Sequence, residues 1–79
     1  MKLSELKKGD SAKIIAIDAT EDLKRRLRSF GVIKGSELSV ETYSLAKKTI
    51  EIMVDDTLIG LRAIEAEKVE VEKITEGKN

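Results

Sequence analysis

Four cations in five positions, Lys24, Arg25, Arg26 and Arg28, form the strongest concentration of chemistry-bearing side chains in this chain. Guanidinium and ammonium groups at that density bind phosphates, bind carboxylates, or simply solvate a helix face. The only other conspicuous cluster is Asp55-Asp56. Two adjacent carboxylates fall short of the six or more oxygens that a hard cation requires, and they read as a turn. No cysteine and no histidine occur. Disulfides, thiolate metal sites, thiol nucleophiles and imidazole bases are therefore excluded, and no cofactor or metal site is expected. Glycine-rich phosphate loops and nucleophile motifs are absent as well, so the chain reads as non-enzymatic.

Charge separates the remaining classes. The 79 residues carry 15 basic and 15 acidic side chains, a formal net charge of zero. A dedicated nucleic-acid binder normally shows a basic excess, so that reading is disfavoured. The balance is uneven along the chain. Positions 1–50 hold eleven Lys/Arg against seven Asp/Glu, and positions 51–79 hold four against eight. A domain with one basic and one acidic side is expected. Apolar runs are too short to span a bilayer, and the opening "MKLSELKKGD" lacks the apolar stretch of a signal peptide. A cytoplasmic protein is expected, recruited to the inner face of a membrane only through a partner.

The elements that must position the cations follow from hydrophobic spacing. Leu3 and Leu6 precede a Lys-Lys-Gly-Asp turn, which suggests a short helical turn tucked under the fold. Residues 11–18 form a β-rich run with Ile14, Ile15 and Ile17 apolar on both faces. A helix follows, with N-caps available at Asp18 and Thr20 and an apolar stripe at Leu23, Leu27 and Phe30. Phe30 is assigned to the core. Gly31 at C′ places Val32 at C″ and Leu27 at C3, the pair that a Schellman ending brings together. Residues 37–43 and 49–54 alternate as half-buried antiparallel strands. Asp55-Asp56 turns the chain into a strand over 57–62, "AIEAEK" makes one helical turn, and 69–74 is the last strand. The pattern predicts a mainly β, five-stranded small barrel, with one α-helix between strands 1 and 2 and a helical turn before the last strand. One domain over 1–74 is expected, with a frayed, disordered polar tail over 75–79.

At this point the order of the pieces resembles a known family. "LSELKKGDSAKI", "LKRRLRSFGVIKGSEL", "TIEIMV" and "LRAIEAEKVEV" together resemble FeoA, the small SH3-like proteins associated with bacterial ferrous iron uptake. Arg26, Leu27, Phe30 and Gly31 meet the family's Arg-Leu-x-x-Phe/Leu-Gly helix ending, and Gly35 matches a glycine four residues later. The resemblance covers about residues 3–74. It implies an SH3-like barrel that serves as an accessory to FeoB, the GTP-binding membrane permease for ferrous iron. Similar domains occur at the C-terminus of iron-dependent repressors. The chain departs from the family at 44–48, where Ser-Leu-Ala-Lys-Lys replaces a Pro-Leu-Gly-Asp-Pro-like turn.

Each candidate site has two readings. Glu21 and Asp22 stand four residues before Arg25 and Arg26, and the helix C-terminus attracts Arg26 and Arg28. Part of the basic cluster is thus structural, and the rest is available for docking. Leu45 either folds back over the barrel end or presents a contact point. With Phe30 and Tyr43 the only aromatics, an SH3-type proline-peptide groove is not expected. The surface expected to contact the permease comprises Arg25, Arg26, Arg28 and Lys34, extended by Leu45, Lys47 and Lys48. The protein is expected to be a monomer. The alternatives are a nucleic-acid-associated or repressor-type module, and self-association through a strand edge.

Overall fold

The computed structural model describes residues 1–75. Five strands form one antiparallel sheet: β1 (Ser11–Ile17), β2 (Glu37–Tyr43), β3 (Thr49–Val54), β4 (Thr57–Arg62) and β5 (Val69–Ile74). Helix α1 (Glu21–Ser29) follows β1, and the four-residue α2 (Ala63–Ala66) joins β4 to β5. Two 3-10 turns complete the order, Leu3–Glu5 ahead of β1 and Leu45–Lys47 between β2 and β3. The expected elements are all present. The sheet is not closed, however. Its order is β4-β3-β2-β1-β5, so β4 and β5 are edges and α2 bridges the gap between them. The expected tail over 75–79 lies, beyond Thr75, outside the described residues.

Alternation explains which face is buried. Leu38 and Val40 of β2, Ile50, Ile52 and Val54 of β3, and Ile59 and Leu61 of β4 all face one core. Val69 and Val71 extend that face into β5, and Ala12 and Ile14 line it in β1. Leu3 and Leu6 plug one side, as their spacing suggested. The period breaks at two bulges. One lies between Ile14 and Ala16 against β5, and the other between Val40 and Thr42 against β3. An extra residue shifts every following side chain to the opposite face. Ile15, on the outer side of β1 with Lys13, is exposed, so the strand is not buried on both faces as its apolar composition suggested. The bulge leaves Ala16 exposed and turns Ile17 back toward the core.

Asp55 and Asp56 form the β3–β4 turn, with φ of +48° and +66°. Positive φ at both central residues is the two-residue hairpin geometry whose twist matches the strands. The short polar side chains of aspartate tolerate it better than most residues do.

Polar groups at the chain's start tie the sheet together. The Asp10 carboxylate accepts from the Lys7 amide at 2.8 Å and pairs with Lys73 of β5 at 3.5 Å. Glu70 accepts from the Met1 amino group at 2.7 Å. The Lys7 amide foremost, with Lys73 assisting, holds Asp10 below the ordinary carboxylate range, and the Met1 amine does the same for Glu70. Tyr43 donates to the Leu6 carbonyl, and partial burial, helped by the Asp10 charge, raises its phenol above the ordinary value. The signs set the expected pH profile. The two carboxylates stabilise the fold above their unfolded pKa values, and that contribution is lost as pH falls through their depressed folded values. Tyr43 favours the fold while neutral, and its contribution is lost as pH rises past about 10. A thermal melting series should therefore be flat near neutrality, fall below about pH 4 and fall again above about pH 10.

Candidate functional site

Helix α1 carries the cations, and its two ends are fixed by local chemistry. The Thr20 hydroxyl accepts from the Leu23 amide at 3.2 Å, so Thr20 rather than Asp18 is the cap. At the other end Val32 N–H donates to Leu27 C=O at 2.9 Å and Gly31 N–H to Arg28 C=O at 3.0 Å. Gly31 has φ +86°, which completes the Schellman ending anticipated from its spacing. Leu27 and Val32 are both fully buried. Their contact locks the direction in which the chain leaves the helix.

With the helix fixed, its cations point in different directions. Arg25 lies beside Asp22 at 3.3 Å, an i,i+3 surface pair of a kind that contributes a few tenths of a kcal/mol at most. Arg26 turns away from Asp22 and bonds Glu65 of α2. Glu65 also accepts from the Arg62 amide at 2.9 Å, which caps α2. This carboxylate, with a side chain 9% exposed, joins the two helices. Arg26 is thus committed to the fold. Its guanidinium also lies 5.9 Å from the centre of the Phe30 ring. Phe30 is 39% exposed, contrary to its assignment to the core, because as the C-cap residue it sits where the helix turns outward.

Lys24 and Arg28, four residues apart, share one helix face, and neither Arg25 nor Arg26 joins them at the groove it borders. They border a shallow groove whose other lining residues are Ile17, Val32, Ile33 and Lys34. The groove has an apolar floor, three cations around it and no carboxylate. Among the described residues Lys24, Arg28 and Lys34 have no salt-bridge partner. Lys24 is half-buried, so its aliphatic stem forms part of the wall.

The other expected contact residues lie elsewhere. Lys34 precedes β2 and Leu45 follows it, so a seven-residue strand, roughly 20 Å of backbone, separates the two groups. At the hairpin tip Leu45 is 95% exposed and does not fold back over the sheet. The tip is nonetheless ordered by hydrogen bonds. Ser44 C=O accepts from Lys47 N–H at 2.9 Å, and the Ser44 hydroxyl accepts from Thr49 N–H at 2.9 Å. The Lys47 ammonium lies 5.1 Å from the centre of the Tyr43 ring, and Lys48 C=O accepts from Ala63 N–H at 2.9 Å. Ala46 and Lys47 both adopt left-handed backbone, φ +63° and +56°. A β-carbon there costs about 1–2 kcal/mol relative to glycine, while glycine's extra chain entropy returns about 0.5–1 kcal/mol of that. Ala46→Gly should therefore stabilise the protein by roughly 0.5 kcal/mol, read as a higher urea midpoint at unchanged slope.

Of the residues named from the sequence, Arg28 and Lys34 line the groove and Leu45 and Lys47 lie at the tip, whereas Glu65's bond to Arg26 and the place of Lys24 on the groove were missed. Nothing local signals Glu65's ion pair with Arg26, since that partner lies 39 positions away. The only hint of its role was its place three residues after the strand end at Arg62, where a glutamate can cap a helix.

The sequence and fold match known proteins over nearly their whole extent. The FeoA domain family model matches residues 1–73. A Campylobacter jejuni protein named as an Fe(2+) transport protein A is 42% identical over 74 residues, covering 94% of this chain and all of that protein. In Porphyromonas gingivalis an Fe(2+) transport protein A/FeoB fusion protein is 29% identical over 75 residues, 95% of this chain and 9% of the fusion. The zinc-complexed FeoA of Stenotrophomonas maltophilia, described as a prokaryotic SH3 domain protein, superposes with a TM-score of 0.79. It is 32% identical, over 91% of this chain and 89% of that one. No helix among the described residues is long and apolar enough to cross a membrane. Capped helix, five-stranded SH3-like sheet and matched sequence together make this chain a member of the FeoA family of ferrous iron transport proteins.

Proposed function

We propose that this protein is a non-enzymatic, cytoplasmic accessory of ferrous iron uptake that acts by direct contact with a FeoB-type, GTP-binding membrane permease. The observation that supports this reading most strongly is the Porphyromonas gingivalis fusion, in which a segment matching 95% of this chain is joined covalently to FeoB. Two proteins that function side by side tolerate such a linkage, which raises their effective concentration without any new contact. The chemistry of the surface is compatible with it. The groove at the end of α1 and the exposed Leu45 tip both place apolar surface beside cations that have no salt-bridge partner among the described residues, a combination suited to a protein-binding face. Arg28 and Lys34, joined by Lys24, form the first face, and Leu45 with Lys47 and Lys48 forms the second. Arg25 and Arg26 have intramolecular carboxylate partners and contribute less.

Calorimetric titration of the protein into the permease's purified cytoplasmic GTP-binding domain tests this. Saturable binding that weakens at least fivefold in Arg28→Glu/Lys34→Glu or in Leu45→Ser is the expected result. No binding to the domain or to the detergent-solubilised permease would reject the proposal. Salt-sensitive shifts of a duplex DNA in place of permease binding would favour the repressor-type alternative.

A further inference from the structure

We infer that the α1 groove is a receptor for an acidic peptide segment with an apolar anchor residue. The inference deepens the contact role proposed above by naming the chemistry of the segment that is bound. Three features of one site carry it. Its floor is apolar, formed by half-buried Ile17 and a 43% exposed Ile33 over the buried Val32, so one aliphatic side chain can be buried there. Its other lining residues are Lys24, Arg28 and Lys34, which have no internal salt-bridge partner among the described residues. And the floor is rigid, because Val32 beneath it is fixed by its N–H hydrogen bond to Leu27 C=O and by burial, and the next turn by Gly35 N–H donating to Ile14 C=O at 2.7 Å. A preformed site loses little ordering entropy on binding.

Charge complementarity selects the occupant. Unpaired cations beside an apolar slot favour carboxylates flanking a leucine or isoleucine. A nucleic-acid strand needs a polar track with aromatic platforms for its bases, and no aromatic residue lines this groove. A second copy of the chain offers exposed Leu58 beside Asp55 and Asp56, but on a strand already paired with β3 rather than on a free extended segment. Its exposed Leu45 is followed by Lys47 and Lys48.

Fluorescence polarisation tests the inference with a fluorescein-labelled 12-residue peptide made of three Glu-Leu-Asp-Glu repeats. Saturable binding is expected, weakening about tenfold in Lys24→Glu/Arg28→Glu/Lys34→Glu and about fivefold in Ile33→Ser. Lys8→Glu, a charge reversal in the exposed turn before β1, should bind within twofold of the parent. Lys34→Glu alone lies outside the helix and should still weaken binding severalfold, so a helix defect in the triple variant would leave the test intact. Equal binding of a peptide with serine for leucine would overturn the groove in favour of a diffuse charge patch. Equal binding by the triple variant would overturn the site. Stronger competition by an oligo-dT than by unlabelled peptide, or a dimer in sedimentation that Lys34→Glu dissolves, would assign the groove to nucleic acid or to a second copy. Peptide binding without permease binding would reject the proposed partner and leave the groove standing. Permease binding without peptide binding would do the reverse.

Discussion

Replacing Arg26 by alanine should lower the free energy of unfolding by about 3 kcal/mol, more than replacing its partner Glu65, at about 2 kcal/mol. The order follows from which group is left behind. Without Arg26, a carboxylate with 9% of its side chain exposed keeps only the Arg62 amide and loses its counter-charge. Without Glu65, the stranded guanidinium is 49% exposed and can turn to water. The second variant then loses chiefly two hydrogen bonds, each contributing about 1 kcal/mol. Urea titrations of Arg26→Ala, Glu65→Ala and the double variant give the coupling directly. A double variant no worse than Arg26→Ala is expected. Equal effects of the two single changes, or simple addition, would show that the pair does not act as a unit. The result also bears on the surface, since a binding defect in Arg26→Ala would then report an unsettled α1 rather than a lost contact.

Leu27→Ala should be equally damaging, at about 3 kcal/mol. Leu27 is fully buried, and its neighbours come from both the helix ending and the sheet. Deleting three carbons there removes transfer energy and leaves a cavity that the locked Val32 cannot collapse into. A domain of this length holds roughly 4–12 kcal/mol in total, so a loss of 3 brings it close to the threshold of folding. The urea midpoint should fall by a quarter or more with the slope unchanged. A loss below about 1 kcal/mol would mean that the site repacks and that the ending is less rigid than its hydrogen bonds indicate.

Much of this architecture could be read from local patterns. The spacing of Leu27, Gly31 and Val32 encoded the helix stop, and alternation in 37–43 and 49–54 encoded two strands. Those signals work because each depends on residues within one turn or one strand. What escaped depends on distance. The Arg26–Glu65 pair spans 39 positions, and nothing local distinguishes Glu65 from a solvated glutamate. The bulge that leaves Ala16 exposed and turns Ile17 toward the core arises from pairing with β5, far along the chain. The left-handed tip was hidden because Ala46 occupies a conformation that usually advertises itself by glycine. The groove fell between the two cases. Its cations were visible, but only helix phase and pairing show that Lys24 faces it while Arg25 and Arg26 do not.

The pairing of β1 with β5 also sets the order in which the protein can form. Ser11 meets Ile74, and Ile17 meets Val69, so an early strand completes its hydrogen bonds only with the latest one. While residues 69–74 are still inside the ribosome, β1 has only its short ladder with β2, and Ala12 and Ile14 lack the cover of Val69 and Val71. The β2–β3–β4 meander has short loops and can assemble as it emerges. Closing the distant pair is the slow, entropy-limited event. During synthesis the exposed stretch is therefore β1, which waits longest for its β5 partner.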